Sequence, residues 1–259
     1  MTEQLTSENG RTVLRMERAL RHPAEKVWRA LTEPSELAAW FPAAVELDLQ
    51  LSGRITFAFE GEEDSDSGVI RAYDPPRLLE FTWGEEIQRW ELIPTADGCL
   101  LTLTATYDDR PGSASFTAGW TLCLDALNEA LGGSPVPRAH YALLHEYFVR
   151  TYGLDAGEVL TDGSLRFERQ LTAPKEQVWP ALHGLVAEGI EAGPARTAVE
   201  PTELSFEWQH GVVTWRLRDG NGGARLVLTQ SGPAAQYLAP WREVIEELAA
   251  GLAAQTSAG

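Results

Sequence analysis

Cysteine, methionine and lysine are scarce in this 259-residue chain, which has two cysteines, two methionines, and Lys26 and Lys175 as its lysines. Cys99 and Cys123 are too few for a disulfide framework and lie in apolar-patterned segments, as expected of buried thiols in a reducing cytoplasm. Positive charge is also sparse. Lys and Arg number 21 against 38 Asp and Glu, giving a formal net charge of −17 and a pI near 4.7. A basic patch supplies most of the affinity for nucleic acid or an anionic membrane, so this balance argues against both as partners. No apolar run approaches the roughly 20 residues that span a bilayer. Residues 1–10 carry neither a basic lead nor an apolar core, so no signal peptide is expected. These absences predict a cytoplasmic, acidic protein without membrane insertion.

The signatures of common catalytic chemistries are missing as well. There is no Gly-x-Ser-x-Gly elbow and no Gly-rich phosphate loop. The five histidines are His22, His140, His145, His183 and His210, and none falls on the inward parity of a strand in the first half. His140 and His145, five residues apart, are a poor helical metal pair. The acidic run from Glu60 to Ser67 lacks the spacing of a calcium loop and reads as a solvated hairpin tip. No metal and no cofactor are expected.

What is abundant is tryptophan, nine in all, within a hydrophobic share of 44%. The chain also repeats itself. Leu14 to Leu31 and Leu165 to Leu182 are identical at about eleven of eighteen positions without a gap. Each window reads as a strand with one buried face (Leu14, Met16 and Leu20, interrupted by Arg18), then a proline at a helix start, then an apolar stripe such as Val27, Trp28 and Leu31. A second match pairs Leu79, Phe81, Trp83, Trp90, Leu92, Gly98 and Leu101 with Leu204, Phe206, Trp208, Trp215, Leu217, Gly223 and Leu226. These segments alternate as strands, with Asp97-Gly98 and Asn221-Gly222-Gly223 as turns. Each half ends in an amphipathic helix carrying a Trp, over residues 116–131 and 235–254.

The offset between the copies shrinks, so the second lacks about 26 residues. The first has Thr32 to Pro42 and then the strand pair Val45 to Leu51 and Arg54 to Phe59. The second has only Gly184 to Thr197, rich in Gly and Ala. The predicted organisation is a complete domain over 1–133, a linker with a helix over 134–163, and a domain over 164–259 without the second helix and a hairpin. That linker helix, Arg138 to Tyr152, is read either as a bridge or as a cover for the sheet edge left open in the second copy.

The first half resembles a known family. Ala19 to Pro34, Trp40-Phe41-Pro42, Gly68 to Arg71, Asp74 to Trp83 and the Trp120 helix are similar, in order, to the activator of heat-shock protein 90 ATPase homologue family of the START-like (SRPBCC) superfamily. The resemblance covers roughly residues 12–132. It implies an α+β helix-grip fold, a curved antiparallel sheet wrapped on a long C-terminal helix, present twice with the second copy truncated. It also implies a cavity between sheet and helix, which in this superfamily holds lipids, sterols, polyketides or aromatic metabolites.

Alternation places Val45, Leu47, Leu49, Leu51, Ile55, Phe57, Phe59, Leu79, Phe81, Trp83, Trp90 and Tyr107 on inward-facing positions, opposite Trp120 and Leu124. A filled core and a lined pocket share this pattern. The candidate cavity residues are Trp40, Phe41, Phe57, Phe59, Arg71, Tyr73, Phe81, Trp83, Trp90, Tyr107, Trp120 and Leu124. Arg54 and Gln88 join Arg71, Tyr73 and Tyr107 as polar groups expected at the rim or surface. The leading expectation is binding of a small apolar or aromatic ligand by the first domain. The alternatives are a polyketide aromatase/cyclase-like enzyme and a co-chaperone or protein-interaction module with a protein partner.

Overall fold

The computed structural model describes residues 2–61, 65–132 and 140–258. The chain divides into two compact units, one of residues 1–110 and 119–138, the other of residues 111–118 and 139–259.

The first unit is built on an antiparallel sheet of eight strands. They are β1 (Thr2–Glu8), β2 (Arg11–Leu20), β3 (Ala43–Leu47), β4 (Arg54–Phe59), β5 (Asp66–Asp74), β6 (Leu78–Trp83), β7 (Glu86–Thr95) and β8 (Gly98–Tyr107), in the order β1-β2-β8-β7-β6-β5-β4-β3. Helices α1 (Ala24–Thr32) and α2 (Pro34–Leu37) lie between β2 and β3, and α3 (Ser113–Ala130) follows β8. Strand β1 was not expected from its polar sequence. It pairs with β2 through the Asn9-Gly10 turn, where both residues have positive φ, the geometry of a tight hairpin. Alternation then buries Leu14, Met16 and Leu20 of β2 and Leu101, Leu103, Ala105 and Tyr107 of β8 on one face.

Two local devices tie the helices to this sheet. Helix α1 buries Val27, Trp28 and Leu31, and its Lys26 ammonium donates to the Leu131 carbonyl at 2.6 Å, placing a cation at the C-terminal end of α3. Gly98 permits the approach of the β2 end, since a Cβ there would stand 2.1 Å from the Leu20 carbonyl oxygen. Gly223 has the same duty in the second unit, with a Cβ 2.3 Å from the Leu171 carbonyl.

The second unit holds α4 (Tyr141–Tyr152), β9 (Glu158–Val159), β10 (Leu165–Gln170), α5 (Lys175–Leu182), β11 (Ala195–Val199), β12 (Glu203–Trp208), β13 (Gly211–Gly220), β14 (Gly223–Gln230) and α6 (Leu238–Ala258). Its sheet order, β11-β12-β13-β14-β10-β9, is that of the first sheet without β3 and β4. The registers also correspond: Leu79 pairs with Trp90 and Leu204 with Trp215, while Trp90 pairs with Leu103 and Trp215 with Leu228. Residues 184–194, between α5 and β11, contain no helix or strand, so counterparts of α2, β3 and β4 are missing. The core is closed around Trp179, Trp208, Trp215 and Trp241. Helix α4 packs on α6, and its Phe148 and Val149 pack on Ala114 and Ala118.

Several expectations need correction. The β3–β4 connection is longer than a two-residue turn at Ser52-Gly53, because β3 ends at Leu47 and the Asp48 N–H closes the loop on the Arg54 carbonyl. Leu51 is consequently exposed in the turn. Asp66 and Ser67 belong to β5 and not to a hairpin tip, while residues 62–64 of the acidic run lie outside the described residues. Residues 133–137 of the expected linker and the start of its helix also lie outside them.

The inward arginine recurs in both units. In the second, Arg169 is fully buried on β10, and its guanidinium donates to Glu246 at 2.8 Å, to Glu146 at 2.6 Å and to the Gln170 carbonyl at 2.7 Å. His145 Nδ1 lies 3.2 Å from the other oxygen of Glu146. Removing one member of a buried ion network strands the other charges. Arg169→Met should therefore lower the stability of this unit by about 3–5 kcal/mol, read as a lower urea midpoint with an unchanged slope.

Candidate functional site

The inner face of the first sheet is lined by aromatic rings where β4, β6 and β7 pass beneath α3. Phe57 and Trp83 stack at 4.1 Å with an interplanar angle of 9°, and Phe59 lies on the Trp83 ring at 5.9 Å. Trp90 meets Trp120 of α3 edge-on at 5.3 Å. The turn after α2 closes this face from the side. Trp40 is held there because its indole N–H donates to the Ala30 carbonyl of α1 at 2.8 Å. Its neighbour Phe41, half-buried, reaches Phe57, Trp83 and Trp120 at centroid distances of 6.0–6.1 Å.

These rings leave a residual cavity of about 30 Å³. Leu31 of α1, Leu37 of α2, Val45 and Leu47 of β3, Ile55 of β4 and Leu79 of β6 complete its wall with Trp40, Phe41, Phe57, Phe81, Trp90 and Trp120. Every lining side chain is predominantly apolar. Such a space has the size of about one water molecule and offers it almost no hydrogen-bond partners.

Of the residues singled out in the sequence, Trp40, Phe41, Phe57, Phe81, Trp90 and Trp120 converge on this cavity, and Phe59 and Trp83 flank it. Four do not line it. A β-bulge between Ile70 and Ala72 leaves Arg71 without a cross-strand partner, so its exposed guanidinium turns to Glu80 at 3.6 Å. Beyond the bulge, Tyr73 packs against Trp28 at 5.9 Å. Tyr107 and Leu124 are buried elsewhere in the core. Leu31, Leu37, Val45, Leu47, Ile55 and Leu79 line the cavity without being among the candidates, although alternation placed the last four on inward positions and the apolar stripe of α1 pointed inward at Leu31.

The polar groups divide differently from the rim expected of them. Arg54 and Arg71 are exposed, whereas Gln88 and Tyr107 are each 1% exposed. Gln88 follows the parity of Trp90 and Leu92, which carries it onto the inner face beside Phe81, its cross-strand partner. Its Nε2 donates to Glu86 Oε2 at 3.1 Å. Burial pushes the Glu86 carboxyl up to about 7, helped by Asp109 and Asp66 and opposed by the Gln88 hydrogen bond and Arg11. Arg89, by contrast, is on the outer face with Glu80 at 2.9 Å and Glu91 at 3.0 Å.

Burial pushes the Cys123 thiol up to about 11 and raises Cys99 too, so both are protonated at neutral pH. Among the described residues no three His, Cys, Asp or Glu side chains cluster to hold a metal ion. No helix among them is long and apolar enough to cross a membrane.

The elevated Glu86 has a thermodynamic consequence. A carboxyl that binds its proton more tightly folded than unfolded stabilises the fold at low pH, and that contribution is lost as pH rises from about 4.5 through about 7. Thermal unfolding midpoints measured from pH 5 to pH 8 should fall less steeply in Glu86→Gln than in wild type. Parallel profiles would contradict the assignment.

Residues 21–132 match the family described as Activator of Hsp90 ATPase homolog 1-like protein. Among solved structures, a conserved Enterococcus faecalis protein of unknown function aligns at 20% identity and a TM-score of 0.52, covering 58% of this chain and 90% of its own. CalU16 from Micromonospora echinospora aligns at 24% identity and a TM-score of 0.45, covering 59% of this chain and 94% of its own. No curated protein matches the sequence. The match to the activator of Hsp90 ATPase homologue 1-like family thus spans residues 21–132, and the Enterococcus faecalis structure supports the fold of a sheet gripping a long helix.

Proposed function

We propose that the first unit binds a small apolar or aromatic molecule on its aromatic inner face, and that the second unit is a truncated copy that supports it. The observation that carries this reading is where the cavity wall comes from. Leu37, Trp40, Phe41, Val45, Leu47, Ile55 and Phe57 all belong to the segment from α2 to β4, and the second sheet has no counterpart of that segment. A copy without those elements keeps its tryptophans as core. A copy with them surrounds a small space with rings, the usual composition of a small-molecule site. The family's fold supports the same reading. Two free cysteines, one buried and one half-buried, fit a protein of the reducing cytoplasm.

A volume of about 30 Å³ is too small for a ring, so binding requires a wall to move. Phe41 is the movable part. It is half-buried, follows a helix of only four residues, and touches ring neighbours without a polar anchor of its own, whereas Trp40 is held by its indole hydrogen bond. Withdrawal of the Phe41 ring would merge the cavity with the space beside Trp83. The closed form then sets the apparent affinity, because a ligand binds only the open fraction.

Toluene titrated against the protein, followed by tryptophan fluorescence, tests this reading. Wild type should bind saturably, and Phe41→Ala, which opens the space permanently, should bind about tenfold more tightly. Absence of binding to both proteins would overturn the proposal.

A further inference from the structure

Gln88 is a buried polar group on the inner face beside two rings that line the cavity. It is 1% exposed, and while its amide nitrogen donates to Glu86, its carbonyl Oε1 has no hydrogen-bond partner among the described residues. While Glu86 is ionised it can only accept, so the amide nitrogen is the end that faces it. The open acceptor is therefore directed away from Glu86. Gln88 stands opposite Phe81 on β6 and two residues before Trp90 on β7, and both of those line the cavity. Gln88 is thus a neighbour of two wall residues without itself lining the cavity.

The second unit provides an internal comparison. Phe206 pairs with Val213 there as Phe81 pairs with Gln88, and Trp208 pairs with Gly211 as Trp83 pairs with Glu86. Val213 is fully buried, so this place in the fold accepts a plain apolar side chain. At the same level the inward glutamine of the second sheet is Gln230, one strand over, and its carbonyl is occupied by the Trp241 indole N–H. A buried acceptor without a partner is destabilising. Buried polar atoms without partners occur among the described residues of both units, Thr172 Oγ1 and Gln230 Nε2 among them in the second, but Gln88 adjoins two residues that line the cavity, and an unsatisfied group in such a place calls for a cause.

We infer that Gln88 Oε1 is the polar anchor of the site, and that the ligand is an aromatic molecule bearing a hydrogen-bond donor, a phenolic hydroxyl, on its inner end. This rests on the reading that the first unit binds an aromatic ligand. The donor supplies the hydrogen bond the fold leaves unmade, and the ring replaces Phe41 among Phe57, Trp83 and Trp120. Glu86 holds the amide in the accepting orientation. A site with an open acceptor discriminates by what the ligand offers it, so a phenol and its deoxy analogue of nearly equal shape are separated.

Matched titrations with p-cresol and toluene test the assignment. Wild type should bind p-cresol about tenfold more tightly than toluene. Gln88→Val should abolish that preference while raising the thermal midpoint by about 2–4 °C, as removal of an unsatisfied amide would. Gln88→Met, closer in shape, guards against a packing artefact and should also lose the preference. Equal affinities in wild type, or a preference that survives both substitutions, would overturn the anchor and leave the aromatic site standing. Failure of both ligands to bind would overturn the two together.

Discussion

In each unit a tryptophan on the closing helix meets a tryptophan on the sheet edge-on, and the rest of the core is arranged around that contact. Trp120 and Trp90 lie 5.3 Å apart at 76°, and Trp241 and Trp215 lie 5.3 Å apart at 85°. Edge-to-face rings attract through their quadrupoles beyond what their burial supplies, by about 0.5–1.5 kcal/mol. The geometry also sets a spacing, because two indoles crossed in this way hold the helix off the sheet by the width of a ring. The remaining inner surface must then be filled from the flanks. Gly98 and Gly223, which admit the backbone of the preceding inner strand, serve the same closure at the other end of the sheet.

The two units fill that space differently. In the second, Trp179, Trp208 and the apolar faces of β12 to β14 complete a closed core, and Arg169 is neutralised by carboxylates from two helices. In the first, the segment from α2 to β4 extends the sheet by two strands and adds the Trp40-Phe41 turn. A small cavity, an unpaired Gln88 carbonyl and a carboxyl held near 7 at Glu86 gather on its inner face. At the positions of Gln88 and Glu86 the second unit has Val213 and Gly211 instead. That contrast is the pattern expected when one copy carries a binding role and the other is free to optimise packing.

Much of this was legible in the sequence, for identifiable reasons. The repeat of Leu14 to Leu31 in Leu165 to Leu182 and the period-two runs around Trp90 and Trp215 report buried faces directly, and both sheets follow them. The missing hairpin was readable as a change of offset. Arg71 and Tyr73 were not, because a bulge inserts one residue without leaving a mark in the alternation. Strand β1 leaves no apolar alternation in the sequence because it is an edge strand with mostly polar side chains, made by backbone pairing and a tight turn. Gln88 is the instructive case. Its parity with Trp90 placed it inside, and the habit of sending long polar side chains to the surface outweighed that signal, though only parity was physically specific to the strand.

Native mass spectrometry of freshly purified protein, set against the mass of the denatured chain, tests the central claim most directly. The account predicts a small non-covalent adduct that denaturation removes, with a mass fitting a one- or two-ring aromatic compound. A bare chain mass that stays bare after incubation with millimolar p-cresol or toluene would contradict it and leave the aromatic face of the first unit as core alone.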